Sequence, residues 1–295
     1  MAVRIIDGNK VAERIRTEVA TAAAELTGQG HKPRLAAILI GEPHASVVYA
    51  RSQARHCEAL GIDYELVQLP EECTSDQLAE RIEALNADPA VTGIILLLPL
   101  PNGIDPHLMQ YRIDPYKDVE GVNPANIGLV FYGQPIIAPC TALSIMEIVA
   151  ESGAALRGCQ AVVVGQGAIV GRPTSVLLVQ EDATVCCCNE FTPHLPEHTR
   201  HADLLVVAAG KAGLITAEHV KPGAIVIDVG INRVRVPAED GGEPATKIVG
   251  DVDFESVREV AAAITPVPGG VGPVTVAMLL RNTIEAARKQ QHRAL

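Results

Sequence analysis

From residue 11 to residue 98, and again from 141 to 230, the sequence alternates short runs of Ala, Val, Ile and Leu with longer segments of helical period. Few architectures accommodate that alternation. LAAILIG (35–41), YELVQL (64–69) and VTGIILLL (91–98) have the length of strands. NKVAERIRTEVATAAAEL places Val11, Ile15, Val19 and Leu26 on one helical face and ends at Gly28 and Gly30. TSDQLAERIEAL opens with Thr74 and Gln77 at the spacing of a capping box. Strands apolar on both faces are covered by helices on both sides, so the expected sheet is parallel and the fold class α/β.

Residues 113–139 carry many Pro, Gly and Asn residues and little period, and predict a long loop or hinge. After a helix at 141–151 the alternation restarts with QAVVVG (160–165), a helix at 169–180, ATVCCC (183–188), DLLVVAAG (203–210) and AIVIDVG (224–230). VRVPAEDGGEPATKIVGDV (234–252) predicts a hairpin or excursion around Asp240 to Gly242. PVTVAMLLRNTIEAARKQ (273–290) predicts a closing helix with Pro273 at its first position. The expected organisation is two α/β domains: residues 1–141 with 273–295, and residues 142–272.

A net charge of −11 argues against nucleic acid or an anionic membrane surface as the main partner, because both require basic patches. The longest apolar run, VTGIILLLPLP, is broken by prolines well short of a membrane span. MAVRIIDGNK reads as neither a signal nor a transit sequence. Seven cysteines without framework spacing suit reduced thiols and a cytoplasmic location. Cys186, Cys187 and Cys188 alternate faces in a strand, so the expectation is apolar filler and no metal.

VVVGQGAIVG follows an apolar strand and opens a helix, the setting of a dinucleotide-binding loop. Gly165 and Gly167 permit a tight turn and close approach of a pyrophosphate, whose charge the helix N-terminus favours. Gly171 comes one residue later than in the common G-x-G-x-x-G. Glu190, in CCNEFT at the end of the next strand, is placed to bond a ribose 2′-hydroxyl. In SVVYARSQARHCEALGI (46–62), Tyr49 and Gln53 lie four apart and share a helix face.

Seven segments together are familiar: IIDG (5–8), LPLP (98–101), KDVEG (117–121), APCT (138–141), VIDVGIN (226–232), VGDV (249–252) and TPVPGGVGPVT (265–275). With them the chain resembles the methylenetetrahydrofolate dehydrogenase/cyclohydrolase family from end to end. The resemblance implies two α/β domains with an active-site cleft between them, the second Rossmann-like and binding NAD(P). It also implies a homodimer and a C-terminal helix that returns to the first domain. The implied chemistry is hydride transfer between a nicotinamide and the one-carbon bridge of folate, followed by water addition to the methenyl cation. The implied cofactor contacts are Gly165, Gln166, Gly167, Ile169, Val170, Arg172, Glu190, Ala209, Gly210, Val229, Gly230, Ile231 and Thr275. Leu97, Asp118, Pro268, Gly269, Gly270 and Val271 are the implied substrate contacts.

The family's tyrosine is matched by Tyr49, but its lysine position holds Gln53, its glutamine position Leu97 and its pterin-gripping aspartate position Glu120. Glutamine has no proton to shuttle, and general acid–base catalysis is typically worth about 10²–10⁴-fold. Leu97 follows from the loss of a lysine to support. Glu120 moves a carboxylate by one methylene, which alters a bidentate grip. Three changes in one site point to refitting. The leading expectation is an NAD(P)H-dependent imine reductase on a small non-folate, cyclic imine, with cyclohydrolase activity lost. Glu120 or Tyr49 would then donate the proton, and Glu120 with Asp118 would supply counter-charge. One alternative is a methylenetetrahydrofolate dehydrogenase with weak or absent cyclohydrolase; another is a non-catalytic nucleotide-binding protein. Gln166, Gly167 and Glu190 stand where the family usually carries serine and cations, which favours NADH over NADPH despite Arg172 nearby.

Overall fold

The computed structural model describes residues 3–236 and 245–293. The chain runs β1 (Arg4–Ile5), α1 (Gly8–Gly28), β2 (Arg34–Ile40), α2 (His44–Ala59), β3 (Asp63–Leu69), α3 (Ser75–Ala87) and β4 (Gly93–Leu96). It continues through α4 (Pro106–Arg112), α5 (Pro124–Phe131), α6 (Cys140–Ser152), β5 (Gln160–Val164), α7 (Gly171–Gln180), β6 (Thr184–Cys188), α8 (Leu195–Thr199) and β7 (Leu204–Val207). β8 (Ile225–Asp228), β9 (Asn232–Val236), β10 (Ala245–Val249), α9 (Phe254–Val257), β11 (Ala263–Ile264) and α10 (Val271–Arg293) complete it. Two compact units result: Glu13–Cys140 with Val276–Leu295, and Met1–Ala12 with Thr141–Thr275. No described helix is long and apolar enough to cross a membrane.

The first unit holds a parallel sheet in the order β3-β2-β4. Ala36, Ile38 and Ile40 of β2 pack with Leu78 and Ile82 of α3 and with Ile94 and Leu96 of β4 in one buried cluster. The Thr74 capping box is present in full. The Lys117–Asp118 segment extends the sheet beside β4, with the Ile94 N–H donating to the Lys117 carbonyl at 2.8 Å. The expected long loop at 113–139 contains a helix, α5. The Asn123 side chain caps it by accepting the Ala125 N–H, and Pro124 occupies its first turn. Eight residues are too few for a helical period to stand out among Pro, Gly and Asn. The C-terminal part of α10 belongs to this unit: the Asn282 amide donates to the Val119 and Ala138 carbonyls, and the Gln290 amide to those of Thr92 and Tyr116. α10 starts at Val271, so Pro273 sits within the first turn rather than opening it, where its missing N–H still costs no intrahelical bond.

The second unit holds a parallel sheet in the order β1-β11-β8-β7-β5-β6. The described residues 3–12, expected with the first domain, lie here because β1 pairs with β11, Arg4 opposite Ala263. The strand order reverses at β5, which has β6 on one side and β7 on the other. In open α/β sheets such a switch point leaves a crevice at the carboxyl ends of the strands where ligands bind. β9 and β10 form an antiparallel pair, Asn232 opposite Val249. The turn expected at Asp240 to Gly242 lies outside the described residues.

Candidate active site

In the first unit, α2 leaves the carboxyl end of β2. The Ser46 hydroxyl fastens its first turn to the Leu98 carbonyl at 2.9 Å. Leu97 is buried, its N–H bonded to the Ile38 carbonyl. Gln53 is 1% exposed, and its Oε1 accepts the Tyr64 hydroxyl of β3 at 3.3 Å. The Gln53 Nε2 makes no hydrogen bond of good geometry, although the amide lies near enough to Tyr49 to ease ionisation of that phenol. Tyr49 keeps 39% of its surface exposed. Burial of its hydroxyl, with the Glu120 and Cys140 charges adding, still pushes its pKa up to about 12. It holds its proton at neutral pH.

The loop carrying Glu120 is built on charged pegs. Lys117 is buried and its Nζ donates to the Leu85 and Asp88 carbonyls at 2.9 and 2.6 Å. Asp118 is 1% exposed and accepts the N–H groups of Gly121 and Asn123 and the Asn126 amide, at 3.1, 2.7 and 2.9 Å. Asp118 was expected to provide counter-charge to a substrate. Its oxygens are instead occupied within the loop, so its contribution is to hold the turn. Glu120 is half-buried. Desolvation, with the Asp118 charge adding, pushes its pKa up to about 8. Its own carbonyl accepts the Cys140 N–H at 3.2 Å, and the Cys140 thiol donates to the Val119 carbonyl.

In the second unit, Gly165 ends β5 with φ +96°, and an added Cβ would collide with the Ala208 carbonyl. Gly171, at the start of α7, abuts the Gly165 carbonyl. Open space surrounds the missing Cβ of Gly167, which leaves its backbone approachable. The Gln166 amide donates to the Val163 carbonyl and the Ser175 hydroxyl, at 3.2 and 3.4 Å, which ties it beneath the loop. Ile169, Arg172 and Glu190 are exposed, and Val170 accepts the Thr174 N–H and hydroxyl. Glu190 follows Asn189, whose Oδ1 accepts the Phe191 N–H.

Val229, Gly230 and Ile231 line one cavity of about 180 Å³ together with Pro268, Gly269, Gly270 and Val271. The expected nicotinamide and substrate contacts of this unit therefore come together. Thr275 lies one turn along α10, its hydroxyl bonded to the Val271 carbonyl at 3.2 Å. Two aspartates that sequence reasoning left without a role build this region. Asp228 accepts the N–H groups of Gly230, Asp251 and Val252 within 3.0 Å, and burial still pushes its pKa up to about 6. Asp251 accepts the Ala209 and Gly210 N–H groups at 2.6 and 2.8 Å and the Asn232 amide at 2.7 Å. Their signal was present in VIDVGIN and VGDV, where an acid beside glycine follows an apolar run.

The expectation that the cysteine run cannot converge is corrected for two of the three. Residues two apart share a strand face, so Cys186 and Cys188 point together toward α8. Their sulfurs and a ring nitrogen of His198 all lie within 4.8 Å of one another. Cys187 faces the other way, its sulfur 3.4 Å from the Ser175 hydroxyl.

Comparison with known proteins shows the family. Residues 6–120 match the tetrahydrofolate dehydrogenase/cyclohydrolase catalytic domain, and residues 139–291 match the NAD(P)-binding domain of the same family. The "Bifunctional protein FolD" of Cupriavidus pinatubonensis is 49% identical over 98% of this chain and 99% of that protein. The protein of the same name from Cupriavidus necator is 50% identical over the same shares. Among solved structures, the bifunctional FolD methylenetetrahydrofolate dehydrogenase/cyclohydrolase of Campylobacter jejuni superposes with a TM-score of 0.90 at 41% identity, covering 98% of this chain and 100% of that one. The Trypanosoma brucei enzyme, solved with NADP cofactor and an inhibitor, gives 0.89 at 38% identity over 99% of each chain. The chain therefore belongs to the tetrahydrofolate dehydrogenase/cyclohydrolase family, and with it to the NAD(P)-dependent oxidoreductases that act on carbon–nitrogen bonds.

Proposed function

We propose that this chain is a methylenetetrahydrofolate dehydrogenase whose cyclohydrolase activity is weak or absent. Gln53 carries the second half of that reading: where the family resemblance implies a lysine, a buried amide with no titratable proton is held by Tyr64. Relatives at about half identity over nearly the whole chain carry the first half, since their names refer to folate chemistry. The comparisons give no support to a small non-folate imine as substrate, and that reading gives way to the folate one.

In the dehydrogenase step the methylene carbon gives up a hydride to the oxidised nicotinamide, and the bridging nitrogen's electron pair forms the C=N⁺ bond. No proton is transferred at that carbon, so the step does not need the missing lysine. Positioning carries the rate. Glu120 would grip donors of the pterin, and Tyr49, protonated at neutral pH, would donate a hydrogen bond. The loop of Gly165 and Gly167 would take the pyrophosphate, with the nicotinamide against Val229, Gly230 and Ile231. The exposed Glu190 supports NADH over NADPH. Homodimer assembly and a cytoplasmic location belong to the same proposal; light scattering and cell fractionation test them.

The deciding experiment supplies methylenetetrahydrofolate with NAD⁺ or NADP⁺ and follows the absorbance of methenyl product and reduced cofactor. Stoichiometric, lasting accumulation of methenyl-folate is the expected result. Absence of turnover with either cofactor, or enzyme-dependent methenyl-folate hydrolysis as fast as the methenyl product forms, contradicts the proposal.

A further inference from the structure

Cys186 and Cys188 lie on β6, the edge strand of the six-stranded sheet, and His198 on the short helix α8 that packs beside it. The Cys186 sulfur is 3.9 Å from His198 Nδ1, and all three donor atoms fall within 4.8 Å of one another. A tetrahedral zinc ion has Zn–S bonds of about 2.3 Å and Zn–N bonds of about 2.0–2.1 Å, which puts neighbouring donors roughly 3.5–3.8 Å apart. The Cys186–His198 separation is already close to that, and the other two are no longer than 4.8 Å. Cys188 is fully buried, Cys186 half-buried and His198 exposed. An ion would thus reach the buried thiol through the half-open side of the cluster.

We propose that Cys186, Cys188 and His198 form a three-donor site for Zn²⁺, with solvent as the fourth ligand. Two thiolates and an imidazole are the soft and borderline donors that this cation selects over magnesium or calcium. Binding replaces two S–H bonds by two Zn–S bonds and sends two protons to the buffer. No oxidant or reductant takes part. Cys187, on the opposite face, lies outside the site. The ring closed by the metal would run from Cys186 to His198 and enclose Glu190 on its loop.

The test is zinc titration of the full-length, reduced protein, read by calorimetry and proton release. Co²⁺ serves as a spectroscopic probe for thiolate-to-metal charge transfer. One equivalent should bind with release of close to two protons. Cys186→Ser and His198→Ala, which alter partly exposed side chains, should each weaken binding at least about 100-fold, since losing even an outer partner of a metal ligand costs about 10–100-fold. Cys187→Ser should bind as the unmodified protein does. Circular dichroism verifies that the variants are folded. Lack of stoichiometric binding by the reduced protein overturns the proposal. Binding undiminished in folded Cys186→Ser and His198→Ala does so as well.

Discussion

The Tyr64 hydroxyl of β3 donates to the Gln53 Oε1 of α2 at 3.3 Å, and this bond fixes an amide at the buried position where the family resemblance implies a lysine. A lysine there would be desolvated and its pKa lowered toward neutrality, which is what makes such a group a base. Leu97, also buried, offers it no hydrogen-bond acceptor. The double variant Gln53→Lys/Leu97→Gln should therefore gain methenyl-folate hydrolysis over the unmodified chain, toward the range of about 10²–10⁴-fold typical of general acid–base groups. Loss of methenyl absorbance measures it. A double variant that folds, oxidises methylene-folate and still leaves methenyl-folate untouched would show that the lysine position does not limit water attack.

Glu120 should impose a pH dependence on substrate binding. With its pKa near 8, it is mostly a neutral acid at pH 7 and a carboxylate above pH 8. A carboxylate accepts the pterin's N–H donors better than an acid does. The apparent KM for methylene-folate should then fall as pH rises from about 7 to 9, while cofactor KM stays level. Glu120→Gln should raise folate KM and remove that dependence. A pH-independent folate KM in the unmodified protein would separate Glu120 from the pterin.

The same carboxyl group affects stability with a definite sign. Its folded pKa exceeds the ordinary carboxylate value, so between about 4.5 and 8 the folded state binds the proton more tightly than the unfolded chain. Its stabilising contribution is complete below that window and is lost as pH rises through it. Glu120→Gln should flatten this part of the stability curve and melt higher than the unmodified chain at pH 9. Denaturant unfolding at a series of pH values measures the slope.

How much of this was legible in the sequence depended on the length of the signal. β2, β5 and α3 were readable because each repeats one pattern over several residues or carries a paired cap, as Thr74 and Gln77 do. α5 was not, since its eight residues sit among the Pro, Gly and Asn that mark loops, and its cap is a single asparagine. The place of β1 beside β11 was hidden because two residues of strand carry no pairing information. At the site, spacing puts Tyr49 and Gln53 on one helix face and the family resemblance singles out Glu120, but residue type alone could not separate Asp118 from Glu120. Both are acids in KDVEG. Only its hydrogen-bond partners show that Asp118 is a peg within the loop. The convergence of Cys186 and Cys188 was masked by the run of three, because only positions two apart share a strand face and Cys187 between them faces away.

Gly165 should tolerate no side chain. Its positive φ disfavours any L-residue, and a Cβ would strike the Ala208 carbonyl, part of the backbone of the neighbouring loop. Gly165→Ala should reshape both turns at the switch point and abolish dinucleotide binding, with a fall in stability on the order of 1–3 kcal/mol. Gly167→Ala meets no atoms in the free protein and should leave melting unchanged. Its added methyl group would stand where a pyrophosphate must approach, so it should raise cofactor Kd. Thermal unfolding and cofactor titration of the two variants separate folding from binding; equal melting losses in both would refute the distinction.

The proposed preference for NADH rests on Glu190. Its exposed side chain follows Asn189 at the carboxyl end of β6, in a turn closed by the Asn189 Oδ1 and the Thr192 hydroxyl. In dinucleotide folds this is where the adenosine ribose is read. A carboxylate can accept the 2′-hydroxyl of NADH, but it repels the doubly charged 2′-phosphate of NADPH. Solvent and salt weaken that repulsion without removing it at hydrogen-bonding range. Glu190→Ser should therefore shift the ratio of kcat/KM values toward NADP⁺ by about five- to tenfold or more at low ionic strength. The shift should shrink as salt is added, because it is electrostatic. A second change, Glu190→Gln, keeps the length and hydrogen-bonding capacity while deleting the charge. It should give most of the gain for NADP⁺ and only a modest loss for NAD⁺. If the unmodified chain already prefers NADP⁺ and neither variant moves the ratio, Glu190 faces away from the ribose. The exposed Arg172 is then the residue to replace next.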